Sequence, residues 1–182
     1  MKISDIFYCL VVFTILNVTQ PSFAKEKSVQ ENAPQFSDYH VDQVFSGKNH
    51  SLIMDSFGKE YKTRLRDAIA HGKPDFAVHY IVTGWGCGSS GCNTGAIIDA
   101  ITGKVYPFPV AISSVYPLKP EFENENGQEL IYKINSRLMI FAGNIDGAAQ
   151  GDGSDAIEFY EFKDGKFIFI KSMPYGKQDK TQ

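Results

Sequence analysis

The spacing of apolar residues changes from helical to alternating near residue 73. Phe57, Tyr61, Leu65 and Ile69 stand four residues apart, which gathers them on one stripe of a helix. Asp55 or Ser56 can cap its start, Gly72 can end it with His71 in the last turn, and Pro74 blocks continuation. The pattern predicts one main helix over about 57–71. Its outer face carries Lys59, Lys62, Arg64 and Arg66. A solvated helix face is the plainer reading of these four, and a cationic patch for an acidic partner is the functional one.

From Phe76 onward the period is two. Phe76, Val78, Tyr80 and Val82 alternate with Ala77, His79, Ile81 and Thr83, and Gly95–Ala100 reads as the next strand. Thr102-Gly103 turns into Lys104–Phe108. Leu130–Ile134 and Leu138–Ala142 are apolar runs joined near Asn135-Ser136. A glycine- and acid-rich loop is expected from Gly143 to Asp155. Ile157–Phe162 and Phe167–Lys171 form a hairpin across Lys163-Asp164-Gly165-Lys166, a strong turn signal. Strands that follow strands by short turns predict an α+β fold: a mostly antiparallel sheet of about six strands with the helix packed on one face.

The N-terminal residues bear on compartment. Lys2 precedes an apolar run from Ile6 to Leu16, and Pro21-Ser22-Phe23-Ala24 supplies small residues for a cut after Ala24. The run falls short of the roughly 20 apolar residues a bilayer crossing needs. The expectation is a signal peptide over 1–24, a flexible lead-in over 25–35, a single α+β domain over 36–176 and a flexible tail over 177–182. The product is then exported, to the periplasm or the extracellular space, with no stable membrane insertion after cleavage. About 158 residues remain, an ordinary size for one domain. The net charge of −3 and the lack of a basic stripe exclude a nucleic-acid binder.

Loss of the signal would remove Cys9 and leave Cys87 and Cys92, an even pair in an oxidising space, hence an expected disulfide. The pair flanks Gly88-Ser89-Ser90-Gly91, so the candidate binding loop comprises Trp85, Gly88, Ser89, Ser90, Gly91 and Asn93. The C-x4-C spacing is not the C-x-x-C of redox centres. Zinc would need two more ligands, and neither His71 nor His79 has ligand spacing. Gly86-x-Gly88-x-x-Gly91 matches a dinucleotide fingerprint by letter, but a strand follows where pyrophosphate binding needs a helix N-terminus. Gly-x-Ser-x-Gly is absent. No catalytic residue is assigned and no cofactor is expected. The alternative is a small hydrolase using Ser89 or Ser90, or Asp99, with His79, although a satisfied structural histidine is the plainer expectation for His79. Asp146, Asp152 and Asp155, with Glu158 beyond them, are a minor calcium candidate. Their spacing is not that of an EF-hand.

Several runs carry a resemblance: Tyr61–Leu65, Lys73–Tyr80, Trp85-Gly86-Cys87-Gly88 with Cys92, and Ala96-Ile97-Ile98-Asp99-Ala100-x-Thr102-Gly103-Lys104-Val105-Tyr106. Together they resemble a family of small exported bacterial proteins of unknown function, over about a third of the chain at motif level. The loop here is a residue longer than that family's usual form. A weaker similarity is to periplasmic inhibitors of vertebrate-type lysozyme, which insert a C-x4-C loop between strands into the enzyme's cleft. Cys87 and Cys92 match that spacing, while Gly88-Ser89-Ser90-Gly91 replaces the inhibitors' polar tip, histidine included. The first family carries no established activity. The pinned tip with Trp85 beside it is what points to a non-enzymatic binding or inhibitor-like module, with a periplasmic or cell-envelope protein as the expected partner; the equal alternative is that Trp85 packs in the core and the disulfide only staples a hairpin.

Overall fold

A computed structural model describes residues 33–88, 92–113, 130–146 and 154–174, with only the backbone of Ser154 and Asp155. The chain divides into two units, Met1–Ala33 and Pro34–Gln182. All but Ala33 of the first lies outside the described residues, as do the expected signal peptide, most of the lead-in and the tail.

The second unit is mostly antiparallel sheet with few helices. After a 3-10 turn at Phe36–Tyr39 come α1 (Ser56–Glu60) and α2 (Lys62–His71). Eight strands follow: β1 (Tyr80–Gly86), β2 (Cys92–Asp99), β3 (Val105–Pro107), β4 (Ala111–Ser113), β5 (Leu130–Tyr132), β6 (Leu138–Asp146), β7 (Ser154–Lys163) and β8 (Lys166–Pro174). They form one sheet in the order β1-β2-β4-β6-β7-β8, with β3 also on β2 and β5 also on β6. Eight strands exceed the expected six or so. Part of the excess is β4, which pairs with both β2 and β6 although it is only three residues long. So short a strand leaves too little alternation to read.

The expected single helix is two. Asp55 caps α1 by accepting from the Gly58 amide at 2.7 Å, and the break falls at Tyr61, with ψ 22°. There the Tyr61 ring leaves the helix line to stack on Trp85, centroids 4.7 Å apart. The strand expected from Phe76 starts four residues later. Phe76 and Tyr80 bridge across a tight turn, with Ala77 at φ 39° and Val78 at φ 66°. A β-branched residue at positive φ is strained. Two neighbouring segments hold it: the Val78 amide donates to the Ile134 carbonyl at 2.7 Å, and its carbonyl accepts from Phe45 at 2.9 Å. The long acidic loop is shorter than expected, because β6 runs on to Asp146 and β7 begins at Ser154. Residues 147–153 lie outside the described residues.

Alternation along β2 builds two cores. Ala96 and Ile98 face Leu65, Ile81, Trp85, Ala100 and Val105, under Phe57, Tyr61, Ala68 and Ile69 of the helices. Ile97 faces the opposite core of Phe76, Ile112, Met139, Phe141, Ile145, Tyr160 and Phe162. Phe162 of β7 lies 4.9 Å from the Tyr80 ring of β1 and 5.2 Å from Tyr106 of β3. In a flat sheet four strand steps would separate β1 from β7 by about 19 Å. The sheet therefore curls until β1 and β7 face each other across aromatic rings. Glu158 lies in this core, fully buried, with the Tyr160 hydroxyl donating to its Oε2 at 2.7 Å. Ser172 stands opposite Glu158 in register, and its Oγ is buried without a hydrogen-bond partner among the described residues.

The curl demands close approach at Gly95, where a Cβ would collide with the Thr83 carbonyl oxygen and the Phe108 ring. Gly84 is its opposite number in register, yet a Cβ there would meet only the Thr94 carbonyl, at 3.4 Å. Gly95→Ala is expected to cost about 1–3 kcal/mol by overpacking, and Gly84→Ala less than about 0.5 kcal/mol. Urea unfolding of the two variants side by side checks the contrast.

Candidate functional site

The β1–β2 hairpin carries candidate chemistry at both ends. At its apex the strand register runs to Gly86↔Asn93, and the Cys87 amide donates to the Cys92 carbonyl at 2.9 Å. Cys87 and Cys92 form a disulfide, with Cα atoms 5.2 Å apart. Gly84, Gly86, Cys87, Gly88 and Asn93 are exposed. Ser89, Ser90 and Gly91 lie outside the described residues. The apex is thus closed twice, by a ladder hydrogen bond and by a covalent link between the same two residues.

Of the two positions open to Trp85, tip contact or core, the structure shows the core: only 6 % of its surface is exposed. Alternation turns it to the helix side, where it stacks on Tyr61 and lies 6.2 Å from Phe57. It anchors the apex from below. The Arg64 guanidinium stands 5.9 Å over the indole, a cation–π geometry, so α2 contributes an exposed cation next to the apex. The Trp85 Nε1 has no acceptor among the described residues, and an unpaired buried N–H costs about 1–3 kcal/mol.

At the base of the hairpin His79, Tyr80, Asp99 and Tyr106 gather. His79 Nε2 is 3.9 Å from Asp99 Oδ1, beyond hydrogen-bonding reach. Asp99 has other work. Its Oδ1 accepts from the amides of Ile101 at 2.8 Å and Thr102 at 3.2 Å, and its Oδ2 accepts from the Thr102 hydroxyl at 2.7 Å. These bonds fold the turn that ends at Gly103, φ 77°. His79 packs its ring on Tyr80 at 4.1 Å. Burial lowers its pKa and the Asp99 carboxylate opposes that. Nearby, Asp75 accepts from the Val82 amide at 2.9 Å and the Tyr132 hydroxyl at 3.2 Å. Burial raises its pKa despite both bonds.

Cys87 lies eight residues from His79 along one strand, about 26 Å at an ordinary rise. Of the residues in the hydrolase alternative, His79 and Asp99 lie at the base of the hairpin, and Ser89 and Ser90 lie outside the described residues. Of the calcium candidates, Asp146 is exposed at the end of β6 opposite Ala111. Asp155 faces Asn144 in register, and Asp152 lies outside the described residues. Glu158 points into the core. Among the described residues no three His, Cys, Asp or Glu side chains gather as metal ligands, and no helix is long and apolar enough to cross a membrane.

Sequence reasoning missed the Asp75–Tyr132 and Glu158–Tyr160 pairs and the Arg64–Trp85 contact. Only the Glu158–Tyr160 pair had a local signal, since residues two apart share a strand face. No family model matches the chain, and no curated protein or solved structure compared with it is detectably similar.

Replacing both cysteines, Cys87→Ser/Cys92→Ser, is expected to lower unfolding free energy by about 2 kcal/mol through lost loop closure. Denaturant titration with and without dithiothreitol checks this, and the reductant is expected to act on the wild type alone. His79 supplies a second prediction. Its folded pKa lies below the ordinary 6.5, so the unfolded chain binds the proton more readily. Its contribution to stability is present above pH 6.5 and is lost as pH falls through the folded value. His79→Gln is expected to flatten the decline in melting temperature between about pH 7 and pH 5, as calorimetry at stepped pH would record.

Proposed function

We propose that this chain is an exported, non-enzymatic binding module that presents its disulfide-closed β1–β2 apex to a periplasmic or cell-envelope protein. The observation that carries the reading is the build of the apex. Exposed, mostly side-chain-free backbone at Gly86, Cys87 and Gly88 is held by the Cys87–Cys92 bridge and tied underneath by Trp85 to the helices. A loop already deprived of its freedom loses little more on docking, and exposed glycine backbone admits close approach by a partner. An exposed apex braced on its underside suits docking in a partner's cleft, the inhibitor-like form of the same reading. An oxidising compartment fits the bridge. The hydrolase alternative draws little support from the base of the hairpin, where both Asp99 oxygens are committed to the Ile101–Gly103 turn.

Photo-crosslinking distinguishes the readings. The oxidised protein, carrying a crosslinking side chain at Asn93 or, as control, at Lys163 in the β7–β8 turn, would be mixed with the envelope fraction of the producing cell. Adducts of defined mass are expected from position 93 and not from 163, and Cys87→Ser/Cys92→Ser should reduce them about tenfold. Adducts that form equally from both positions, or that ignore the cysteine change, would remove the apex as the binding element.

A further inference from the structure

The outer face of the helices contains more positive charge than the fold uses. Lys59, Lys62, Arg64 and Arg66 are exposed, and none takes part in an ion pair among the described residues. Of the two acids on the same helices, Asp67 is paired with His71 at 3.1 Å, and Glu60 stands by the Tyr61 hydroxyl and raises its pKa. Within α2, Lys62 and Arg66 stand at i,i+4, a spacing at which like charges destabilise a helix. No ion pair among the described residues offsets this.

The excess is also segregated. Residues 48–73 hold six Lys and Arg against three Asp and Glu, whereas the rest of the chain holds twelve against eighteen. Lys48 and Lys73 extend the patch past the C-terminus of α2, since Asn49 between them donates to the Ile69 and Gly72 carbonyls at 2.8 and 3.0 Å. At the other end Arg64 lies over Trp85, a residue of the apex strand. Cationic face and disulfide apex therefore adjoin through one side chain.

We propose that this face docks a protein partner whose contact surface carries clustered carboxylates, with Arg64 as the cation nearest the apex. The inference rests on the binding-module reading and specifies the partner's chemistry. Charge complementarity of this kind steers encounter and fixes orientation. An anionic bilayer is the weaker fit, because surface-lying helices turn an apolar stripe to the lipid. Here Phe57, Leu65, Ala68 and Ile69 turn that stripe into the core, and none of the exposed large apolar residues lies on α1 or α2.

Trp85, the single tryptophan of the chain, reports directly on Arg64. The full oxidised protein would be titrated at low salt with poly-L-glutamate, poly-L-lysine and phosphatidylglycerol vesicles, with Trp85 emission followed throughout. Poly-L-glutamate is expected to give a saturable change that weakens with added salt, and the other two probes none. Lys62→Glu/Arg64→Glu/Arg66→Glu should weaken the apparent affinity at least about tenfold, while Lys163→Glu/Lys166→Glu in the β7–β8 turn should leave it within about twofold. Lys62→Gln/Arg66→Gln, which keeps Arg64 on the indole, should fall between them and guards against misfolding of the reversed variant. No response to poly-L-glutamate, an equal loss in both glutamate variants, or a response to vesicles alone would overturn the inference. Apex-dependent crosslinking without a poly-L-glutamate response also overturns it and leaves the binding module standing. A poly-L-glutamate response without apex-dependent crosslinking upholds it and overturns the apex.

Discussion

The sheet's packing hangs on the contact between β1 and β7, four places apart in its strand order. Phe162 reaches Tyr80 and Tyr106 only because the strands between them coil, and the coil is possible because β2 tolerates tight packing at Gly95. β2 then serves two cores at once. One face joins the aromatic interior; the other receives α1 and α2. Had the sheet stayed flat, the inner face would need a second layer to cover it. Coiling lets one sheet supply both sides of its own core.

That arrangement explains where the exposed chemistry lies. The β1–β2 hairpin is pinned along its length by both cores, its Cys92–Asn93 end pairs with β4, and its base is drawn toward the interior. Asp99 is 6 % exposed and holds a turn; Cys87 and Asn93 face solvent. Burial also shifts the titration at the base, being the first cause of the lowered pKa of His79 and the raised pKa of Asp75 and Tyr80. The hairpin thus divides an interior end, spent on stability, from an exterior end available to a partner.

The elements legible in the sequence were those specified locally. The Asp55 cap, the Thr102-Gly103 turn and the Asp164-Gly165 turn, with φ 52° and 73°, each need only a few adjacent residues. The disulfide was legible from cysteine count and spacing. Features set by distant contacts were not. For Trp85 a tip contact and a core position stayed equally open, because nothing nearby in the chain announces Tyr61 above it. The strand expected at Phe76 failed because Phe45 and Ile134 hold Val78 in a conformation its own alternation argues against. The helix break at Tyr61 has the same origin, a ring recruited by another element.

Glu158 illustrates a different economy. A carboxyl group with no exposed surface is costly to bury, and one of its hydrogen bonds comes from Tyr160, two residues along the same strand. Both side chains project from one face of β7, so the strand that carries the acid into the interior also carries a donor for it. That bond depends on the conformation of one strand and on no contact with a second.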